Sequence, residues 1–592
     1  MSEPVTAGDA AAGRRSALRR LFSYIARNKR YYGVWFATTL VYTLGFVALP
    51  RLVGWTYAAH EQGLGADEIV RRAKWIALVA VLTAGVRFFS RTLVFNAARE
   101  IEYEIRDDLF AQLEKLPRSF YFEWRTGDIM SRCVNDVNAI RLLLGVGLLN
   151  VISTPILYFG ALGVMFSMNP VLTLWVVAPY PLFMLVARTF GRGIHHWSLL
   201  VQEGLGDLSN SLQESIAGIA VVKAYAMEGV TARRFEKTNQ ELYRRQLGIA
   251  RAVASMPAIV GLLPAMAMFV VLLVGGQMIV DEQMKPSEFI TFTMYIYQLT
   301  FPTFLMGWVV ALVQRGAASM QRIDELLSIE PSIADGPDTA AVAALRGEIE
   351  FRNLRFTYPG SGGDPVLADL DLHVPAGTTL GVVGPVGSGK STLVSLIPRL
   401  FELDDGQLLI DGVDVNRIPL RVLRSNIAMV PQEAFLFSMT LADNVAFGLP
   451  RTENDAVVRA SERAQLAKDV AELPHGYETV VGERGVMLSG GQRQRTALAR
   501  ALALDPRILI LDDTLSAVDA ETEAAIRREL DVVFRGRTVV VVSSRVSAVR
   551  NADRIVVLDA GRIVEAGRHA ELVAEGGLYA RLAREQAAER GA

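Results

Sequence analysis

The chain has 592 residues, 51% of them hydrophobic, and a formal net charge of -1. That length has room for several domains, and the near-zero charge excludes a nucleic-acid partner recruited by bulk electrostatics. A single cysteine, Cys133, excludes an internal disulfide; it suits a reducing cytosolic setting or plain packing.

Residues 11–31 carry Arg14, Arg15, Arg19, Arg20, Arg27, Lys29 and Arg30 with no acidic residue among them. They do not have the short apolar core and small-residue cleavage site of a signal peptide. A basic cluster ahead of a long apolar run predicts a cytoplasmic N-terminus. With Leu21, Phe22, Tyr24 and Ile25 interleaved, segment 1–31 reads as an amphipathic helix on the membrane surface or as a solvated basic tail.

Six apolar stretches follow within 32–315, near 32–56, 74–95, 142–167, 169–192, 256–280 and 288–312. Each supplies the roughly 20 residues that cross ~30 Å of hydrocarbon. The even number returns the chain to the cytoplasm. Spans three and four are joined only by Ser167-Met168-Asn169-Pro170, whereas the joins at about 96–141 and 193–255 are long and charged. In 97–117, apolar residues at helical spacing alternate with Glu100, Glu102, Glu104, Arg106 and Asp107, so the spans are predicted to continue as helices into the cytoplasm.

Segment 316–346 reads as a linker: residues 322–327 are helical in pattern, and Pro331, Gly336 and Pro337 break the helix. A soluble α/β domain, 347–592, opens with the alternating strand Ile349-Glu350-Phe351-Arg352-Asn353-Leu354. Its buried strand 379–383 runs straight into Gly384-Pro-Val-Gly387-Ser388-Gly389-Lys390-Ser391-Thr392 and then a helix-forming run. This is a full phosphate-binding loop in its strand–loop–helix context. The glycines let backbone N–H groups face phosphate oxygens; Lys390 reaches the β and γ phosphates and Ser391 holds Mg²⁺. Strand 508–512 ends in Asp512, a carboxylate placed to hold Mg²⁺ through water.

These strings, with Leu488-Ser489-Gly490-Gly491-Gln492 about a hundred residues on, resemble ABC exporters, and the resemblance spans about 15–585. It implies a six-helix membrane domain with long cytoplasmic helical extensions, fused to an α/β P-loop ATPase: a half-transporter working as a dimer with ATP and Mg²⁺ between its halves. Segments 119–136 and 214–228 are similar to the family's two cytoplasmic coupling segments, and Thr126-Gly127 reads as a turn at the first corner. The resemblance makes Tyr358 the adenine-stacking ring, although a core or turn tyrosine competes. It puts Gln432 beside Mg²⁺ and the attacking water, and adds Asp519 to the nucleotide-binding set. It has the signature, Leu488 to Gln492, touch the nucleotide of the facing subunit, with the helix behind it aimed at an anion. Loop 481–485 also follows the exporter type.

Two positions depart from the family. Asp513 stands where glutamate usually follows the Mg²⁺ aspartate, and Ser544 stands where a histidine usually reaches the γ-phosphate. Asp513 is drawn back by one C–C bond, ~1.5 Å; a serine carries no titratable charge near neutral pH. Together they predict a site that binds ATP and turns it over slowly, unless another residue compensates or the positions are engineered. The intact signature predicts a heterodimer, in which this chain completes the site of a second half carrying Glu and His. The resemblance further implies a bacterial cytoplasmic (inner) membrane protein moving amphipathic drugs, lipids or peptides outward among membrane lipid. The alternatives are an importer on the same fold, for example for a metal chelate, a homodimer of low ATPase activity, and a non-transport role in which ATP gates a partner. Arg87, a charge at membrane depth, reads as substrate contact, snorkelling cation or structural partner. Met256, Met266, Met268, Met294, Met306, Tyr295 and Tyr297 fit a permissive cavity or ordinary packing.

Overall fold

The computed structural model describes residues 7–359, 362–482, 486–514 and 520–591. They form two compact units: the chain up to Phe110 with Met130–Ser328, and Ala111–Ile129 with Ile329 onward.

The first unit is helical throughout. The basic N-terminal segment is helix Ala7–Arg27, with Ala17, Leu21 and Tyr24 buried along one side. Tyr24 Oη donates to Asp108 Oδ2 at 2.7 Å, and Arg20 is paired with Asp324. A solvated tail is therefore not what these residues form. Helices Lys29–Glu61, Ala66–Lys115, Thr126–Met168 and Pro286–Leu327 are long and apolar enough to cross a membrane. The expected fourth span falls on Pro170–Val177 and Tyr180–Ala217. The expected fifth falls on the end of Glu228–Val270 and its continuation to Val280.

The helices outrun their apolar stretches. Ala66–Lys115 has 50 residues, about 75 Å at 1.5 Å per residue, of which ~30 Å is needed for hydrocarbon. The short third join works because Asn169 caps the following helix, its Oδ1 accepting from Leu172 N at 3.0 Å, with Pro170 in the first helical turn. Close approach between the first and last of these helices depends on Gly54, where a Cβ would lie 2.0 Å from Thr291 Oγ1. Residues 322–327 prove to be the end of helix Pro286–Leu327 rather than a separate element, and the division between units follows at Ser328.

In the second unit two sheets share a core. The smaller one joins β1 (Ile349–Phe356), β2 (Leu367–Val374), β4 (Leu408–Ile410) and β5 (Val413–Asp414) in antiparallel pairs. The larger takes β3 (Thr379–Val383), β6 (Ile427–Val430), β9 (Ile508–Asp512), β10 (Thr538–Val542), β11 (Arg554–Asp559) and β12 (Arg562–Gly567) in the order β12-β11-β3-β10-β9-β6. All pairs there are parallel except β11–β12. β7 (Met439–Thr440) and β8 (Val480–Val481) form a short separate ribbon. The parallel strands read as unbroken aliphatic runs because both faces are covered: Ile508, Leu509, Ile510 and Val539 are fully buried.

Of the expected first coupling segment, residues 119–129 belong to this unit and the rest, from Met130, to the helical unit. Its corner lies at Trp124 and Arg125, and Thr126-Gly127 already form the first turn of the next helix. The glycine is used at a helix start rather than in a turn. In helix Arg118–Glu123, Phe122 stacks on Phe401 with ring centroids 6.0 Å apart, and Arg118 lies 5.7 Å over the same ring. The expected second coupling segment, in the helical unit, contains helix Ile219–Ala224, and leaves Ile219, Val221 and Tyr225 exposed.

Candidate nucleotide-binding site

The site sits at the carboxyl ends of the parallel strands, where such sheets bind ligands. β3 delivers the loop 384–389, β9 delivers Asp512 and Asp513, and β10, hydrogen-bonded between them, delivers Ser543 and Ser544. The loop wraps on itself with Gly387 and Gly389 at φ +83° and +96°, left-handed conformations that suit glycine. Gly384 is required for a different reason: a Cβ there would lie 2.0 Å from the Leu558 carbonyl oxygen. Gly384→Ala is therefore expected to destabilise the domain by about 1–3 kcal/mol and to weaken ATP binding, both measurable by thermal unfolding with and without nucleotide.

Lys390 Nζ donates to the carbonyls of Gly384 at 2.9 Å and Pro385 at 2.7 Å, within the loop's own curl. Burial pushes its ammonium below the usual lysine range, and Asp512 and Asp513 pull the other way. Ser391 Oγ donates to Asp512 Oδ1 at 3.1 Å. Burial raises the Asp512 carboxyl above its ordinary value; Ser391 opposes this, Asp513 adds to it and Lys390 opposes it. An amide-lined loop around a lysine, beside a hydroxyl paired with a buried carboxylate, fits a triphosphate and Mg²⁺. Among the described residues no cluster of three His, Cys, Asp or Glu could hold a metal alone. Ser388 and Thr392 are buried, and Thr392 Oγ1 is 2.9 Å from Tyr358 Oη. The Tyr358 ring meets Phe356, Phe401 and Phe122 edge-on at 5.1, 5.3 and 6.0 Å, so it is packed among aromatics as well as close to the loop.

Asp513 sits in the left-handed region, φ +45°, which aspartate tolerates better than most residues, with its N–H donating to Val542 O at 2.8 Å. Ser543 Oγ donates to its Oδ1 at 3.1 Å. Ser544 is half-buried, and its carbonyl accepts from Gln586 Nε2 at 2.8 Å. Gln432 is exposed two residues beyond Val430, which pairs with Leu511. Asp519 and loop residues 483–485 lie outside the described residues.

The signature is a built helix N-terminus. Leu488 is buried, and Ser489 caps helix Gly490–Ala503, with Gly490 and Gly491 in its first turn. Ser489 Oγ accepts from Gln492 N at 3.2 Å, and Gln492 Oε1 accepts from Ser489 N at 2.9 Å, a reciprocal capping box. Sequence reasoning missed Asp469, which accepts from Gln492 Nε2 at 3.3 Å and from Arg495 at 2.8 and 3.0 Å. It also missed Gln586; no local spacing marks either residue. Asn444 is buried, and its Oδ1 accepts from Arg500 Nη2 at 3.0 Å.

Comparison with known proteins gives this geometry its context. Residues 36–303 match the ABC transporter transmembrane region and 367–516 the ABC transporter domain. The chain is 35% identical over 563 residues to the Bacillus subtilis protein named "Probable multidrug resistance ABC transporter ATP-binding/permease protein YheI", covering 92% of this chain and 95% of that one. It is 33% identical to the multidrug resistance-like ATP-binding protein MdlA of Escherichia coli, covering 95% of each. Its structure resembles that of a bacterial Atm1-family ABC exporter with ATP bound, with a TM-score of 0.78 and 27% identity, over 94% of this chain and 98% of that one. The chain thus belongs to the ABC transporter family, as a multi-pass exporter-type membrane region fused to its ATP-binding domain.

Proposed function

We propose that this chain is one half of a heterodimeric exporter in the bacterial inner membrane, with its N-terminus and ATP domain in the cytoplasm, and that it moves amphipathic drugs, lipids or peptides outward. Lys390, Ser388, Thr392 and the loop glycines hold the ATP phosphates, and Tyr358 borders the adenine. Ser391, Asp512 and Gln432 hold Mg²⁺, which neutralises charge on the phosphates. The site is slow because Asp513 and Ser544 stand where the water would be activated. Ser489, Gly490, Gly491 and Gln492, by contrast, complete the partner's site.

The observation that carries this reading is the contrast between the two ends. The Asp513 carboxylate is short, held at φ +45° and tied to Ser543, whereas the signature is fully capped and braced by Asp469. Exposed Ile219, Val221 and Tyr225 on the second coupling segment are a further reason to expect a second subunit. The test is to purify the chain alone and together with a second half-transporter that carries Glu and His at the positions of Asp513 and Ser544. The chain alone is expected to bind ATP with little turnover, and the pair to hydrolyse it. Turnover by the chain alone at the rate of the pair would overturn the reading.

A further inference from the structure

A cavity of 700 Å³ lies within the helical unit, walled by helices Lys29–Glu61, Ala66–Lys115, Thr126–Met168 and Pro286–Leu327. Its volume is in the range of drug-sized sites. Two arginines reach it, Arg87 and Arg91, one helical turn apart, and no Asp or Glu lines it. Arg87 lies 6.0 Å over the Phe46 ring; among the described residues neither arginine has a carboxylate in ion-pair range.

Two polar groups on other helices of the lining are also left open. Thr43 is 2% exposed, and its Oγ1 has no hydrogen-bond partner. Gln298 donates through Nε2 to Phe46 O at 2.7 Å, while its buried Oε1 has no partner. Like charges one turn apart at membrane depth, with no counter-ion, are unfavourable, and buried polar atoms normally find partners. Phe46, Phe88 and Phe301 add apolar surface to the same lining.

The geometry points to this cavity as the binding site for an amphiphile with an anionic oxygen head group, a phosphate or carboxylate. Arg87 and Arg91 grip the head, Thr43 donates to it, Gln298 Oε1 accepts from a neighbouring hydroxyl or amide, and the tail lies along Phe88 and Phe301. The proposal names the substrate class for the transport reading and rests on it. Its assay needs neither partner nor turnover, so failure of the ATPase prediction leaves it separately readable.

The full-length chain in neutral maltoside micelles is titrated with radiolabelled dodecyl phosphate and with dodecyltrimethylammonium. Saturable binding is expected to favour the anion by about tenfold or more, as for charge-assisted hydrogen bonds. Arg87→Ala and Arg91→Ala should each remove most of that preference, and Arg87→Lys should keep part of it, while fluorescent ATP-analogue binding stays at the wild-type level. Displacement by phosphatidylglycerol would support a lipid head group, and displacement by dodecanoate alone a soluble amphiphile. Equal binding of both charges by the wild-type chain, the result if these arginines only snorkel, would overturn the proposal even if a variant failed to fold. Displacement by inorganic phosphate as readily as by the amphiphiles would also overturn it.

Discussion

Replacing Asp513 by Glu and Ser544 by His together is expected to raise ATP turnover of the isolated chain by about 100-fold or more. The argument is one of reach. The Asp513 carboxylate ends one C–C bond, ~1.5 Å, short of where a glutamate would place it, and accepts from Ser543 Oγ rather than facing outward alone. Ser544 offers no imidazole, yet its backbone is firmly placed: Gln586 bonds its carbonyl, and Val546 N donates to Gln586 Oε1 at 2.8 Å. A histidine would therefore start from a fixed point. The Glu substitution carries a backbone penalty, because φ +45° costs about 1–2 kcal/mol for residues other than Gly, Asn and Asp. That is smaller than the ~2.7 kcal/mol equivalent of a 100-fold rate gain, so the gain should survive it. The two substitutions act on one water and one phosphate, so each alone should recover much less than half of the logarithmic effect. Steady-state phosphate release at saturating ATP measures it. No gain in the double variant would mean that geometry other than these two side chains limits the site.

What the sequence showed and what it hid follow from range. The phosphate loop, Asp512 and the signature were legible because their chemistry needs contiguous residues at fixed spacing after a strand or before a helix. The six apolar stretches were legible too, but not the helix ends. Apolarity reports where lipid is, whereas Ala66–Lys115 is continued beyond it by amphipathic packing, with Ile101, Ile105 and Leu109 buried. The corner at Trp124–Arg125 was displaced because Thr-Gly favours both turns and helix starts. The Ser543–Asp513 bond, the Asp469 brace and the packing of Phe122 on Phe401 join residues 23 or more positions apart, and no local pattern announces them. The open pairing of Arg87 with Arg91 was half legible: a charge at membrane depth singles out Arg87, but only the helix arrangement sets both into one cavity with Thr43 and Gln298.

In the assembled pair, Gly490→Asp in this chain is expected to reduce ATP turnover by about 100- to 1000-fold, the scale of losing an anion-stabilising group from a reacting centre. Lys390→Ala in the same chain should leave most of the turnover intact. Gly490 begins the helix that Ser489 caps, so a carboxylate there would meet a nucleotide phosphate with like charge at a helix start that otherwise favours anions. Ser489, Gln492 and Asp469 form their own closed set of hydrogen bonds, separate from those that link Lys390 to its loop and Ser391 to Asp512. Damage at one set need not reach the other through the chain. The two substitutions therefore separate the models of assembly. In a heterodimer the signature serves the competent site and Lys390 the slow one, so the effects are unequal by two orders of magnitude. In a homodimer every site contains both elements, and the two variants would be equally inactive. Measuring ATPase of both variants in the same purified pair, with ATP binding measured alongside, decides between them, and equal loss would sink the heterodimer.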